Sequence, residues 1–381
     1  MNIQARPMLL TNTYAPYREP VWRALADKVE RLDVVLLREQ ETNRNWDVMT
    51  DNAYTIHTLG TSGFFLPWID SGLYWGGGIR KVLATLAPTH LIVAGYSAPP
   101  FIEAILWARK HGVPVIQWYE SHALSSRFNR GPIRWLREAM LRRADAWVVP
   151  GVMSRDYLVQ MGIPSESILI APNTVDISVF AAGANKSVPN KGPVRFLYVG
   201  RYIELKGVDL LLDAFKRTQR EATLRLVGYG PLESELREKA KGMVNVEFQP
   251  ATRNPQDTAE HYAWADVVVM PSTREVWGLV INEALAAGCY ALSSSVAAVT
   301  PDLVENAPLN VGRSIDPFAG PGPLTRAMDE AIEDIDAIRA RRGDIANWGM
   351  RFTPGCTAAG LRDALLASTN SSHEFQHPSS D

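Results

Sequence analysis

Cysteine is almost absent from this chain: 381 residues contain only Cys289 and Cys356. That scarcity excludes a disulfide framework and a cysteine-based metal cage. Neither sign of charge dominates, since 39 Lys and Arg face 41 Asp and Glu for a net charge of −2. The balance argues against a dedicated nucleic-acid binder. No run of eighteen apolar residues occurs, and Met1 to Tyr17 lacks a charged-then-apolar leader pattern. These absences lead to the expectation of a soluble, cytoplasmic enzyme. What is present is ordinary globular material, 46% hydrophobic and 21% charged, which rules out disorder of the whole chain. The length exceeds what one hydrophobic core usually serves, so two domains are expected.

Short apolar bursts recur along the chain. They are Met8 to Leu10, Val34 to Leu37, Leu91 to Ala94, Val113 to Ile116, Ala146 to Val149, Ile168 to Ala171, Phe196 to Val199, Leu224 to Val227, Val244 to Phe248, Val267 to Met270 and Tyr290 to Leu292. Apolar runs without alternation suit parallel strands covered on both faces. Between two of them, Val208, Leu211, Leu212 and Phe215 fall at i, i+3, i+4 and i+7, a helical stripe. Strand and helix alternate throughout, which predicts an α/β architecture of doubly wound sheets.

One stretch breaks the pattern. Ala181 to Pro193 is small, polar and rich in Gly and Pro. It predicts a first domain over 1–185 and a second over 186–347, with closing helices over 348–368 and a polar tail over 369–381. Open parallel sheets bind ligands outside the carboxyl ends of their strands. Loops after strands are therefore where function is to be sought.

The densest such loop follows Val199 and reads Gly200-Arg201-Tyr202-Ile203-Glu204-Leu205-Lys206-Gly207. Glycine lets backbone approach a ligand, and two cations beside a helix N-terminus suit a diphosphate. The second loop runs from Pro271 through Glu275, Trp277 and Gly278 into a helix predicted to start near Leu279. Carboxylates at Glu275 and Glu283 would sit close to those phosphates and call for strong hydrogen-bond donors, such as sugar or ribose hydroxyls. The alternative is that Glu275 caps the helix and Glu283 faces solvent.

These loops, with Leu226-Val227-Gly228-Tyr229-Gly230-Pro231, Ala265-Asp266-Val267-Val268-Val269-Met270-Pro271-Ser272 and the Glu275-to-Glu283 spacing, resemble the family 4 retaining glycosyltransferases of the GT-B fold. The resemblance is strongest over residues 194–305. It implies two Rossmann-like domains facing across a cleft, with the last helix crossing back onto the first. It implies transfer of a sugar from a nucleotide-diphosphate donor with retention, without a metal or other cofactor. Arg201 and Lys206 would stabilise the leaving diphosphate, Glu275 would bind sugar hydroxyls and Glu283 the ribose. Gly200, Gly228, Trp277, Gly278 and Leu279 would complete the donor site. The acceptor would be a glycan, a lipid-linked or a small molecule, bound by the first domain.

Two departures from the family pattern bear on that first domain. Where relatives often have His-Asp or His-Glu, this chain has Gln117-Trp118-Tyr119-Glu120-Ser121-His122. Glu120 fits the acidic slot, and His122 either replaces the missing histidine or is an ordinary loop residue. The first strand is followed by Thr11-Asn12-Thr13-Tyr14-Ala15-Pro16-Tyr17-Arg18 instead of a Gly-rich loop. Tyr14, Tyr17, Arg18 and Tyr96 are acceptor candidates by place, with Arg18 either meeting an anionic acceptor or lying on the surface. Arg127 to Arg143, with Ile133, Trp135, Leu136 and Met140 interleaved, would suit an anionic membrane surface, although a solvated helix fits better. A non-catalytic nucleotide-sugar- or glycan-binding homologue and a nucleotide-sugar 2-epimerase are the rival readings.

Overall fold

The computed structural model describes residues 2–39, 52–66, 71–95, 98–126, 130–184, 191–218, 220–252 and 254–374. The chain divides into two units, Met1–Pro172 with Pro354–Asp381, and Asn173–Thr353.

In chain order the first unit contains β1 (Pro7–Thr11), β2 (Asp33–Leu36), β3 (Thr55–Thr58), the antiparallel pair β4 (Ser62–Leu66) and β5 (Ser71–Trp75), then β6 (His90–Val93), β7 (Val115–Trp118), β8 (Ala146–Val149) and β9 (Ile168–Ile170). Seven of these form a parallel sheet in the order β3-β2-β1-β6-β7-β8-β9. Strands β1, β2, β6, β7 and β8 are buried at every position, as continuous apolar runs require. One face of the sheet packs Leu83, Phe101, Ile105 and Leu158. The other packs Trp22 and Leu25 together with Ala358, Leu361, Ala364 and Leu365 from the last helix, Pro354–Glu374. A segment nearly two hundred residues distant in sequence thus closes the first unit's core.

The second unit carries β10 (Val194–Arg201), β11 (Ala222–Tyr229), β12 (Val246–Pro250), β13 (Val267–Met270), β14 (Tyr290–Ser294) and β15 (Gly312–Ile315), all parallel, in the order β12-β11-β10-β13-β14-β15. Val208, Leu211, Leu212 and Phe215 are all buried on the helix Val208–Arg217, so the periodic stripe faces the core. Every apolar burst lies on or overlaps a strand. Edge strands β3 and β15, reading TIHT and GRSI, carry no apolar run and leave no such signal.

The boundaries differ from the expected 185/186 and 347/348. The polar stretch 181–193 falls within the second unit, where the helix Ile177–Ala184 packs and Phe180 meets Tyr262 edge-on at 5.5 Å. Trp348 and Phe352 also pack together in that unit, at 5.1 Å, so the return begins at Pro354, not at 348. The last helix continues through Glu374, past the expected tail start at 369. Composition marks where a chain is polar, whereas packing decides which core a helix joins.

The helix Arg342–Gly349 lies against Leu279–Ala286, the helix that opens from the second candidate loop. A Cβ on Gly349 would come within 2.4 Å of the Ala286 backbone nitrogen, and backbone cannot swing aside. We expect Gly349→Ala to cost about 1–3 kcal/mol of stability, read from urea unfolding midpoints at unchanged m-value.

Candidate functional site

In the second sheet the strand order reverses at β10, whose neighbours are β11 on one side and β13 on the other. Loops leaving β10 and β13 diverge there, at the switch point where open α/β sheets bind ligands. Both predicted loops are these two. They are joined backbone to backbone: Thr273 donates its N–H to the Leu205 carbonyl at 3.0 Å. Gly207, at φ +65°, lies so close that an added Cβ would stand 2.2 Å from the Pro271 carbonyl oxygen. No L side chain tolerates both that dihedral and that contact. On the adjoining strand, Gly228 pairs with Gly200, and a Cβ there would lie 1.9 Å from the Gly200 oxygen.

The joint brings the functional charges together. Lys206 Nζ donates to Glu275 Oε2 at 2.5 Å, and the Ser272 hydroxyl donates to the same oxygen at 3.3 Å. Glu275 therefore does not cap the following helix, whose N-cap is Gly278. Arg201, half-buried at the end of β10, has its carbonyl held by the Tyr198 hydroxyl at 2.8 Å. Burial first, then Tyr202 and Glu275, push the Tyr198 phenol well up, so it stays a neutral donor. Beneath the loops, Ser294 Oγ donates to the Ser272 carbonyl at 2.7 Å and Thr300 Oγ1 to the Ser294 carbonyl at 2.6 Å.

Trp277 is buried, its indole N–H bonded to Asn282 Oδ1 at 2.9 Å. Its side chain is packing, and only its backbone is left for a ligand, in line with Gly278 and Leu279 opening the helix where free N–H groups collect. The Ala297-Ala298-Val299 segment is wholly buried, and Val299 N–H bonds the Trp277 carbonyl at 3.2 Å. Glu283 does not face solvent. It is half-buried one turn into the helix Leu279–Ala286 and accepts the Tyr262 hydroxyl at 2.6 Å. Tyr198, Tyr262, Ser272, Asn282 and Ser294 were not singled out from sequence as site residues. Only Ser272, inside the Met-Pro-Ser motif, lay where a motif could have flagged it.

In the first unit, Arg18 and Glu120 come together. Arg18 Nη2 donates to Glu120 Oε1 at 2.6 Å, and the guanidinium lies 4.7 Å from the Trp118 ring and 5.9 Å from that of Tyr17. Tyr14, expected to meet an acceptor, is instead core: it is buried and packs edge-on against Trp22 at 5.9 Å. His122 is fully buried in a turn, its carbonyl accepting the N–H of Ser125 at 3.1 Å and that of Ser126 at 2.9 Å. Its imidazole is thus enclosed by the fold instead of standing open in a loop. Tyr96 lies outside the described residues. In the basic segment, Arg137 is buried against Ser126 and Tyr157, and Arg134 pairs with Glu138, so these two cations are not both free for an anionic surface. Trp135 stands 71% exposed beside them.

Two parallel α/β units, each with its candidate residues at the carboxyl ends of its strands, define a GT-B-type protein. The family described as Glycosyl transferases group 1 matches residues 193–334, and that described as Glycosyl transferase 4-like domain matches residues 13–174. The second unit thus carries a group 1 glycosyl transferase domain and the first a glycosyl transferase 4-like domain. It is 27% identical over 241 residues to a GDP-mannose-dependent alpha-(1-6)-phosphatidylinositol dimannoside mannosyltransferase of Mycobacterium tuberculosis, an alignment taking in 59% of this chain and 61% of that protein. The chain thus spans less than two thirds of that relative's length. Among solved structures, the lipopolysaccharide outer core galactosyltransferase WaaB in its apo form is similar with a TM-score of 0.72 at 15% identity, over 95% of this chain and 99% of that one. HepE from Anabaena in complex with UDP and glucose is similar with a TM-score of 0.68 at 16% identity, over 98% and 100%. At these identities the two structures speak for the fold. No described helix is long and apolar enough to cross a membrane.

Burial pushes the Glu283 carboxyl from its ordinary 4.5 up to about 7, against the lowering effect of the Tyr262 hydrogen bond. The folded state therefore holds that proton more tightly than the unfolded state. The associated stability is fully present below pH 4.5 and is lost as pH rises through about 7. Relative to Glu283→Gln, the parent protein should lose roughly 2–3 kcal/mol between pH 4.5 and pH 8, measured by urea unfolding at both. Parallel pH profiles of the two proteins would contradict it.

Proposed function

We propose that this protein transfers a sugar from a nucleotide-diphosphate donor to a hydroxyl of a glycan, lipid-linked or small-molecule acceptor, with retention and without a metal. The observation that carries the reading is the Lys206–Glu275 pair, held where the loops after β10 and β13 are joined, with Arg201 ending β10. A cation and a carboxylate so paired are preorganised for exchange. An arriving diphosphate takes the ammonium, and the sugar's hydroxyls replace it as donors to the carboxylate.

Arg201 and Lys206 then face the charge that grows on the diphosphate as the glycosidic bond breaks, which is where fixed cations lower a barrier most. They supply the charge a metal would otherwise bring. Glu283 takes the ribose hydroxyls, and the backbone N–H groups of Trp277, Gly278 and Leu279 face sugar and phosphate. Gly228 lets its strand close against the Gly200 carbonyl beside that site. Retention follows if the acceptor attacks on the face the diphosphate leaves, with the departing phosphate taking the acceptor's proton. The first unit supplies the acceptor side, with Glu120, Arg18 and Tyr17 at its strand ends. A relative named for GDP-mannose and a similar structure holding UDP support a nucleotide-sugar donor and leave the base open.

The reading is tested by thermal stabilisation with UDP, GDP, dTDP and ADP, together with nucleotide release from UDP-glucose, GDP-mannose, dTDP-glucose and ADP-glucose. One nucleotide at a hundredfold excess over its Kd should add about 2.7 kcal/mol. Lys206→Ala should abolish the shift and slow turnover about 10²–10³-fold. Stabilisation by none of the four at millimolar concentration, or unchanged turnover in Lys206→Ala, would overturn it.

A further inference from the structure

Glu120 is fixed at both ends. Its carbonyl accepts the hydroxyl of Ser154, fully buried on the helix Val152–Gln160, at 3.0 Å. Its carboxylate is gripped through Oε1 by Arg18 at 2.6 Å. Arg18 in turn cannot wander. It ends a short turn, Pro16–Arg18, and its guanidinium lies over Trp118, the last residue of β7 and two residues before Glu120. One strand end thus supplies both the carboxylate and the ring that holds its partner. The side chains are only 13% and 27% exposed, so the pair is mostly withdrawn from solvent.

Two features distinguish this contact from a bridge that merely ties two loops. Glu120 Oε2 accepts no hydrogen bond from the described residues, so one oxygen is clamped and the other left available. Arg18 Nη1 is buried and reaches no carboxylate among the described residues, so the guanidinium grips Glu120 through one nitrogen. A planar guanidinium seated over the Trp118 ring presents that nitrogen to Oε1 from one direction, which a flexible ammonium would not do.

We propose that Arg18 is a positioning residue for Glu120: it clamps Oε1 so that Oε2 accepts a substrate hydroxyl. Arg18 acts through the carboxylate instead of meeting an anionic acceptor itself. The proposal rests on the nucleotide-sugar reading above. It differs in what it demands of the donor nucleotide, whose binding residues all belong to the second unit.

The test uses the full chain with Arg18→Gln, Arg18→Lys, Glu120→Gln and the double variant Arg18→Gln/Glu120→Gln. Each is assayed for nucleotide stabilisation by UDP, GDP, dTDP and ADP, and for nucleotide release from the four nucleotide sugars. Arg18→Gln should lower kcat about 10–100-fold, the scale of a misplaced catalytic group, with the nucleotide-sugar KM and the thermal shift unchanged. Arg18→Lys should recover part of the loss. In the Glu120→Gln background, removing Arg18 should cost little more. Unchanged kcat in Arg18→Gln, or losses that multiply in the double variant, would overturn the clamp and leave the nucleotide-sugar reading standing. So would a thermal shift lost in Arg18→Gln, which would make Arg18 a nucleotide contact. A parent protein that none of the four nucleotides stabilises would sink the parent reading and this inference with it.

Discussion

The joint between the loops after β10 and β13 is the constraint on which the second unit's site depends. Gly207 passes against the Pro271 carbonyl at a distance no side chain permits, and Thr273 bonds Leu205 across the same seam. Because backbone meets backbone there, Lys206 and Glu275, 69 residues apart, are held in register without relying on their own attraction. Part-exposed ion pairs contribute little by themselves. Here the pair is a consequence of loop geometry, and its value lies in being easily exchanged for ligand contacts.

Support for that joint comes from layers below it. Hydroxyls of Ser294 and Thr300 lock the carbonyls under Ser272, and Asn282 takes the Trp277 indole. These groups are buried, so each hydrogen bond they make must be kept or paid for in full. The same logic operates in the first unit, where Ser154 and Arg18 hold Glu120 from opposite ends. Precision at a site is supplied by neighbours whose own freedom has been removed by packing.

Much of this was legible in the chain before its structure. Apolar runs without alternation reported the central strands, because a strand covered on both faces must be apolar throughout. Glycine, cations and carboxylates at fixed spacing reported the loops after β10 and β13. The unit boundaries lie elsewhere than expected, since the polar stretch 181–193 falls within the second unit and the crossings at Pro172/Asn173 and Thr353/Pro354 have no comparable signature. Tyr14 was misjudged too. An aromatic in a strand-end loop reads as a contact, and only its packing against Trp22 shows it to be core.

Residue order along the chain determined the kind of sheet, the switch-point loops and the family, because those depend on local composition and short-range spacing. Tertiary structure alone decided which charges pair. Lys206 with Glu275, Tyr262 with Glu283 and Arg18 with Glu120 are separated by 69, 21 and 102 residues, beyond the reach of any helical or strand period. Burial was decided there as well, and burial is what moves the Glu283 carboxyl toward neutrality and encloses His122. Desolvation is a property of surroundings, and surroundings exist only once distant segments have packed.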